Sequence, residues 1–155
     1  MAEMIYLTAD GAEELRRELD ELVNVRRPAL AQKLKEAVAD GDLRENANYH
    51  DAREQQAFIE GRIQYLENLL RDAVIISNDG ASDEVRIGSV VTIREEGSDA
   101  DETYLIVGAA EASPRDGKIS QKSPLGAALM GRRKGAKVRV QTPSGEMVVK
   151  IKQVK

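Results

Sequence analysis

A seam runs through Tyr49, Ala52, Gln56, Ile59, Ile63, Leu66, Leu70 and Ala73 in alternating steps of three and four. That spacing returns to one helix face every two turns and predicts a long helix with a single stripe, as in a coiled coil. Upstream, Leu15, Leu19 and Leu22 keep the same rhythm. The seam then passes through Arg26, Leu30 and Leu34 in steps of four and closes with a step of three at Ala37. Successive fours form a stutter, which locally unwinds a supercoil. Pro28 lies inside it, and because proline donates no N–H and its ring crowds the preceding turn, a bend is expected there.

Thr8 offers a side-chain oxygen to the first turn, and Asp10 stands where the positive end of the helix dipole favours an anion, so the first helix is predicted to begin near Thr8. Between the two seams, Asp40-Gly41-Asp42-Leu43 is the turn signal: glycine tolerates positive φ and aspartate bonds its own nearby backbone. An antiparallel hairpin of two long helices follows. At 1.5 Å per residue, an arm over residues 9–40 reaches roughly 45–50 Å, which puts its tip far from its base.

Beyond Ala73 the period changes to short β-branched runs at 74–76, 89–93, 103–107, 138–140 and 147–151, which read as strands of one small sheet. Thr142-Pro143-Ser144-Gly145 joins the last two as a hairpin, and Pro124 to Met130 reads as one short helix opened by proline. The polar run 77–86 marks a linker. The expected fold class is α+β, with an N-terminal helical hairpin over 1–76, its acidic tip near 40–46, and a small sheet domain with one short helix over 77–155.

Composition narrows the chemistry. With no cysteine, disulfides, thiolate zinc sites and cysteine nucleophiles are excluded, and the single histidine, His50, excludes a histidine-rich metal site. No apolar run approaches the ~20 residues of a membrane span, and Met1-Ala2-Glu3-Met4 has no basic region followed by an apolar one, so a soluble, cytoplasmic protein without membrane contact is expected. The net charge of -4 conceals a polarity: residues 117–155 hold ten bases and one acid, Glu146. A basic end of that kind suits an acidic protein surface or a nucleic acid.

Gly41-Asp42-Leu43-Arg44-Glu45-Asn46 sets two carboxylates three positions apart at the end of the arm. Hard oxygen ligands suit magnesium, yet two carboxylates leave most of its coordination to water or to a partner. The bland alternative is a pair of acids solvating a turn. The stretch Gly41 to His50, followed by Ala52-Arg53-Glu54-Gln55-Gln56, resembles the tip and descending helix of the GreA family of bacterial transcript cleavage factors. The likeness extends to Leu7-Thr8-x-x-Gly11, Arg26-Arg27-Pro28, Glu60-Gly61-Arg62-Ile63 and Ser123-Pro124-Leu125-Gly126 through Leu129 and Gly131.

The resemblance implies a coiled coil joined to a C-terminal domain of FKBP-like fold. It also implies a monomeric factor whose arm enters the secondary channel of bacterial RNA polymerase. There the polymerase hydrolyses its own backtracked RNA, and the factor is not itself an enzyme. By position, Asp42 and Glu45 would assist the polymerase's second magnesium, so the chain has no cofactor of its own and shares Mg²⁺ with the polymerase. Arg44, Tyr49 and Arg53 are the candidate contacts to the RNA 3′ end. For Tyr49 half-buried packing is the alternative, for Arg44 a solvated charge; His50 receives no role. Ser123, Pro124, Leu125 and Gly126 resemble the family's docking loop, with an exposed proline–leucine pair suited to a small apolar contact. Arg132 and Arg133 either add electrostatic docking or serve solubility. Ala136 departs from the family pattern, which commonly has aspartate there. Rival expectations are a polymerase inhibitor of the same fold, against which Asp42-x-x-Glu45 argues because its tip would be dense in aspartates, a peptidyl-prolyl isomerase, or a structural coiled-coil adaptor.

Overall fold

The computed structural model describes residues 3–77 and 82–155. The chain divides into two compact units, Ala12–Asp72 and Met1–Gly11 with Ala73–Lys155. Residues 3–11 and 73–76, which the sequence groups with the hairpin, cluster with the sheet unit.

In the first unit, α1 (Ala9–Glu21) leads into a π-helical segment, Leu22–Arg26, and then α2 (Arg27–Ala39). The N–H of Arg27 reaches the carbonyl of Leu22, five residues back, so the stutter is taken up by one wide turn upstream of Pro28. Pro28 itself falls in the first turn of α2, where a missing donor costs least. The return helix α3 spans Ala47–Asp72. Its seam buries Ala52, Ile59, Ile63, Leu66 and Leu69, and α2 buries Leu30 and Ala37; Leu30, Ala52, Ile59 and Ile63 form one cluster. The last buried position is Leu69, with Leu70 half-buried. Leu19, Leu22, Val23 and Leu34 pack on this stripe.

Two fork-to-fork ion pairs flank it. Arg62 donates to Glu18 at 2.8 and 3.0 Å, and Arg27 to Glu60 at 2.7 and 2.8 Å. The Arg62 guanidinium bonded to Glu18 holds that carboxyl below its usual range. Such exposed pairs add little stability, but their bidentate geometry favours one register of the hairpin. No helix among the described residues is long and apolar enough to cross a membrane.

The second unit contains two sheets. Strands β1 (Tyr6–Thr8) and β2 (Val74–Ile76) pair in parallel as a two-stranded ribbon of their own, so β2 is not part of the main sheet as expected. The five-stranded sheet comprises β3 (Val90–Glu95), β4 (Asp101–Val107), β5 (Lys118–Ser120), β6 (Lys137–Thr142) and β7 (Gly145–Val154) in the order β5-β4-β3-β7-β6. All pairings are antiparallel except β4 with β5. Alternation puts Val91, Ile93, Val138, Val140, Val149 and Ile151 on one face, where they bury with Ile106, Ile119 and Leu129 of the short helix α4 (Pro124–Leu129).

Val85 joins that core at 1% exposure and donates its N–H to the carbonyl of Arg132 at 2.8 Å. The run 77–86 is therefore not a linker throughout, because by Val85 it is already packed; residues 78–81 lie outside the described residues. A further clasp involves Glu111. Its carboxylate accepts the N–H of Thr8 at 2.8 Å and the hydroxyl of Thr8 at 2.6 Å. The same hydroxyl oxygen accepts the N–H of Gly11 at 3.0 Å, as expected of an N-cap.

Candidate functional site

At the arm's tip Asp42, Asn46 and His50 bond the backbone of the turn, and Glu45 stands outside those bonds. Helix α2 stops at Ala39, and Gly41 at φ 131° turns the chain, a conformation that disfavours any residue with a Cβ. Asp42 then accepts the N–H of Arg44 on Oδ1 at 3.0 Å, the short-range bond that makes aspartate a turn residue. Asn46 does two jobs. Its Oδ1 accepts the N–H of Tyr49 at 3.0 Å, capping α3, while its Nδ2 donates to the carbonyl of Ala37 at 2.6 Å near the end of α2. One side chain thereby ties the end of one helix to the start of the next. His50 shares the closure: its Nε2 lies 3.3 Å from the carbonyl of Arg44, and its ring meets that of Tyr49 edge-on with centroids 5.6 Å apart.

The candidate RNA contacts are distributed around this frame. Tyr49 is half-buried against His50, Arg44 is exposed, and Arg53 donates to Gln56 at 3.0 Å. Asp42 and Glu45 are both exposed. Glu45 makes no hydrogen bond or ion pair among the described residues, and the second oxygen of Asp42 is uncommitted. Glu45 and the uncommitted oxygen of Asp42 are hard donors that fit magnesium as partial ligands, the remainder of its shell coming from elsewhere.

The Ser123 turn is constructed in the opposite sense. The Ser123 hydroxyl donates to the carbonyl of Ser120 at 2.7 Å and accepts the N–H of Gly126 at 3.0 Å, capping α4. A Cβ on Gly126 would stand 1.9 Å from the Ser120 carbonyl oxygen, so only glycine permits this approach. Pro124 is exposed as expected, but Leu125 is half-buried and packs on the sheet core, which corrects the expectation of an exposed proline–leucine pair. Arg132 is exposed. Arg133 pairs with Asp83 at 3.1 Å and Glu84 at 3.6 Å, so its charge is partly met within the chain. Ala136 is half-buried against the core.

Asn46 and Glu111 were not singled out by the sequence. For Asn46 a signal existed, an amide residue immediately before a helical stretch. For Glu111 none did, since its partner lies 103 residues away.

Family models match almost all of the chain: one described as "Transcription elongation factor, N-terminal" covers residues 5–75, and one described as "Transcription elongation factor, GreA/GreB, C-term" covers residues 80–155. This chain belongs to the GreA/GreB family of transcription elongation factors. Transcription elongation factor GreA of Bacillus subtilis (strain 168) is 46% identical over 148 residues, 96% of this chain and 94% of that protein. GreA of Geobacillus kaustophilus (strain HTA426) is 49% identical over 150 residues, 96% of this chain and 95% of its own. Among solved structures, GreA factor homolog 1 (Gfh1) of Thermus thermophilus is 30% identical, covers 99% of both chains and has a TM-score of 0.46. The two GreA/GreB models meet between residues 75 and 80, whereas the compact units divide beside Gly11 and Asp72. The family's N-terminal part therefore includes β1 and the first two residues of β2 as well as the hairpin.

Proposed function

We propose that this chain delivers Asp42 and Glu45 through the secondary channel of RNA polymerase to the polymerase's second catalytic magnesium. Factors of this family stimulate the polymerase to cleave its own transcript and do not catalyse hydrolysis independently, which suits a chain whose tip holds too few ligands to complete a metal site. The observation that carries the proposal is the contrast at the tip: Asn46 and His50 are spent on closing the turn, while Glu45 and one oxygen of Asp42 are spent on nothing among the described residues. The 26 residues of α3 give an arm of roughly 40 Å, long enough to carry a reagent into a recess.

Magnesium held between these acids and the polymerase would activate water and stabilise charge developing on the phosphate. The chain's own residues position and orient. Asn46 sets the direction of the turn, and the bond from the Arg44 N–H restrains the Asp42 carboxylate to one side of it. Arg44, which lies between the acids in sequence, and Arg53, on the following helix, are suited to the phosphates of backtracked RNA, with Tyr49 as the candidate support for its 3′ end.

The test is the rate of short-RNA release from a backtracked complex at saturating factor. Asp42→Ala and Glu45→Ala should each lower it about a hundredfold, equivalent to ~3 kcal/mol, while still competing with the wild-type chain for polymerase. Raising magnesium should restore part of the rate by mass action, and Arg44→Ala should respond less. Wild-type rates in both acid variants would refute the assignment.

A further inference from the structure

The outer face of the five-stranded sheet, opposite the core and α4, carries a row of cations, two of which have no ion pair among the described residues. Burial of Val91, Ile93, Val138, Val140, Val149 and Ile151 on the inner face sends Arg94, Lys137 and Lys150 to the other. Register brings them side by side: Lys150 on β7 stands directly opposite Arg94 on β3 and directly opposite Lys137 on β6. Adjacent strands lie about 4.8 Å apart, and like charges directly opposite one another destabilise a sheet. Asp101 relieves Arg94 through a 2.7 Å bond, but Lys137 and Lys150 have no ion pair among the described residues. Lys152 lines the same open cavity of about 200 Å³, whose wall includes Val148, Lys137 and Lys150.

We propose that this face is a second docking surface, separate from the Ser123 turn, which takes an acidic protein segment of RNA polymerase bearing a small apolar side chain. The proposal rests on polymerase being the partner. Local stability would be better served by an acid at position 150, between two cations, so the use of a lysine there lies outside the fold. Three features favour a protein segment over nucleic acid. The outward positions of these strands hold no aromatic ring on which bases could stack. Glu95 and Glu96 line the same cavity as the cations, and they would repel the unbroken charge of a phosphate backbone. Aliphatic lysine stems beside Val148 offer a floor for an apolar side chain, with ammonium groups at its rim for carboxylates.

The experiment measures displacement of labelled wild-type chain from core RNA polymerase, alongside the melting temperature of each full-length variant. Lys150→Glu should weaken binding about tenfold at low salt, with the difference shrinking as salt rises. Its melting temperature should stay level or increase, because the new carboxylate would lie between Arg94 and Lys137. Lys137→Glu should reproduce the loss of affinity, whereas Lys155→Glu, with the same change of net charge, should change it less than twofold. Opposite movement of affinity and stability is the signature, since a residue serving the fold would lose both together. Unchanged affinity in Lys150→Glu, or equal losses in Lys150→Glu and Lys155→Glu, would overturn the proposal. So would a loss of affinity for a short DNA duplex with polymerase binding intact, which would make the face a nucleic-acid site. If the wild-type chain itself failed to bind polymerase, the partner would be wrong and both readings would fall together.

Discussion

The helical arm and the sheet unit are stabilised by different means. The arm has one narrow stripe, Leu30, Ala52, Ile59 and Ile63 with their neighbours, and its flanks are solvated and joined by exposed ion pairs. The sheet unit buries ten residues in one cluster and lets backbone approach backbone at Gly126. In the arm, then, tolerance depends on which side of the helix a residue faces. In the sheet unit it depends on whether there is room for a single carbon.

The largest expected break in this contrast is Ile63→Asp. A carboxylate at a position 2% exposed, without a partner, should cost more than ~4 kcal/mol and unfold the arm. Hydrogen exchange should locate the damage, with protection lost through α3 and retained at Ile106 and Ile151. Equal loss in both regions would show that the units do not fold separately.

Next come two substitutions that are the same on paper. Gly126→Ala forces a methyl against the Ser120 carbonyl and should destabilise the sheet unit by about 2–3 kcal/mol. Gly61→Ala lies in α3 with nothing within 4 Å of the added carbon and should stabilise the arm by about 0.5–1 kcal/mol. Thermal melts of the two variants should shift in opposite directions.

The smallest effect is a pH dependence confined to the arm. The Glu18 carboxyl is depressed by Arg62, so its contribution is fully present above the ordinary carboxylate value of about 4.3 and is lost as pH falls through the lower folded value. With the carboxylate 39% exposed, solvent screening limits this to a few tenths of a kcal/mol. Arg62→Met should flatten the acid limb of arm stability slightly; an unchanged limb would mean that the pair contributes nothing.

Legibility in the sequence follows the same division. The arm's seam was readable because a repeating step of three and four is a local property, and its stutter announced an irregularity correctly. The cause was assigned to Pro28, although the wide turn precedes it, since a ladder that shifts register does so where the spacing changes and not where a donor happens to be missing. In the sheet unit, β3, β4, β6 and β7 were visible as β-branched runs. Strands β1 and β5 were not: they are as short as β2, which did read as a strand, but Tyr6-Leu7-Thr8 and Lys118-Ile119-Ser120 each hold a single β-branched residue. Val85 was hidden in a polar run, and its burial depends on a bridge between Glu84 and Arg133 that no local pattern encodes. At the tip the two acids stood out by spacing and resemblance. The asparagine that aims them did not, because its second bond reaches back nine residues to Ala37.

The π-helical segment has a consequence for aim. At about 100° per residue, an unbroken α-helix from Leu22 to Leu34 would bring the stripe roughly a third of a turn out of phase. The wider winding of Leu22–Arg26 absorbs that excess, so Leu30, Leu34 and Ala37 face α3 again and the turn beyond them leaves at a defined azimuth. None of the five residues is buried. The compass bearing of Asp42 and Glu45 is thus written in a stretch with no fully buried side chain, of which Leu22 and Val23 touch the stripe, and inserting or deleting one residue there would swing the acids around the arm's axis while leaving every side chain of the tip in place.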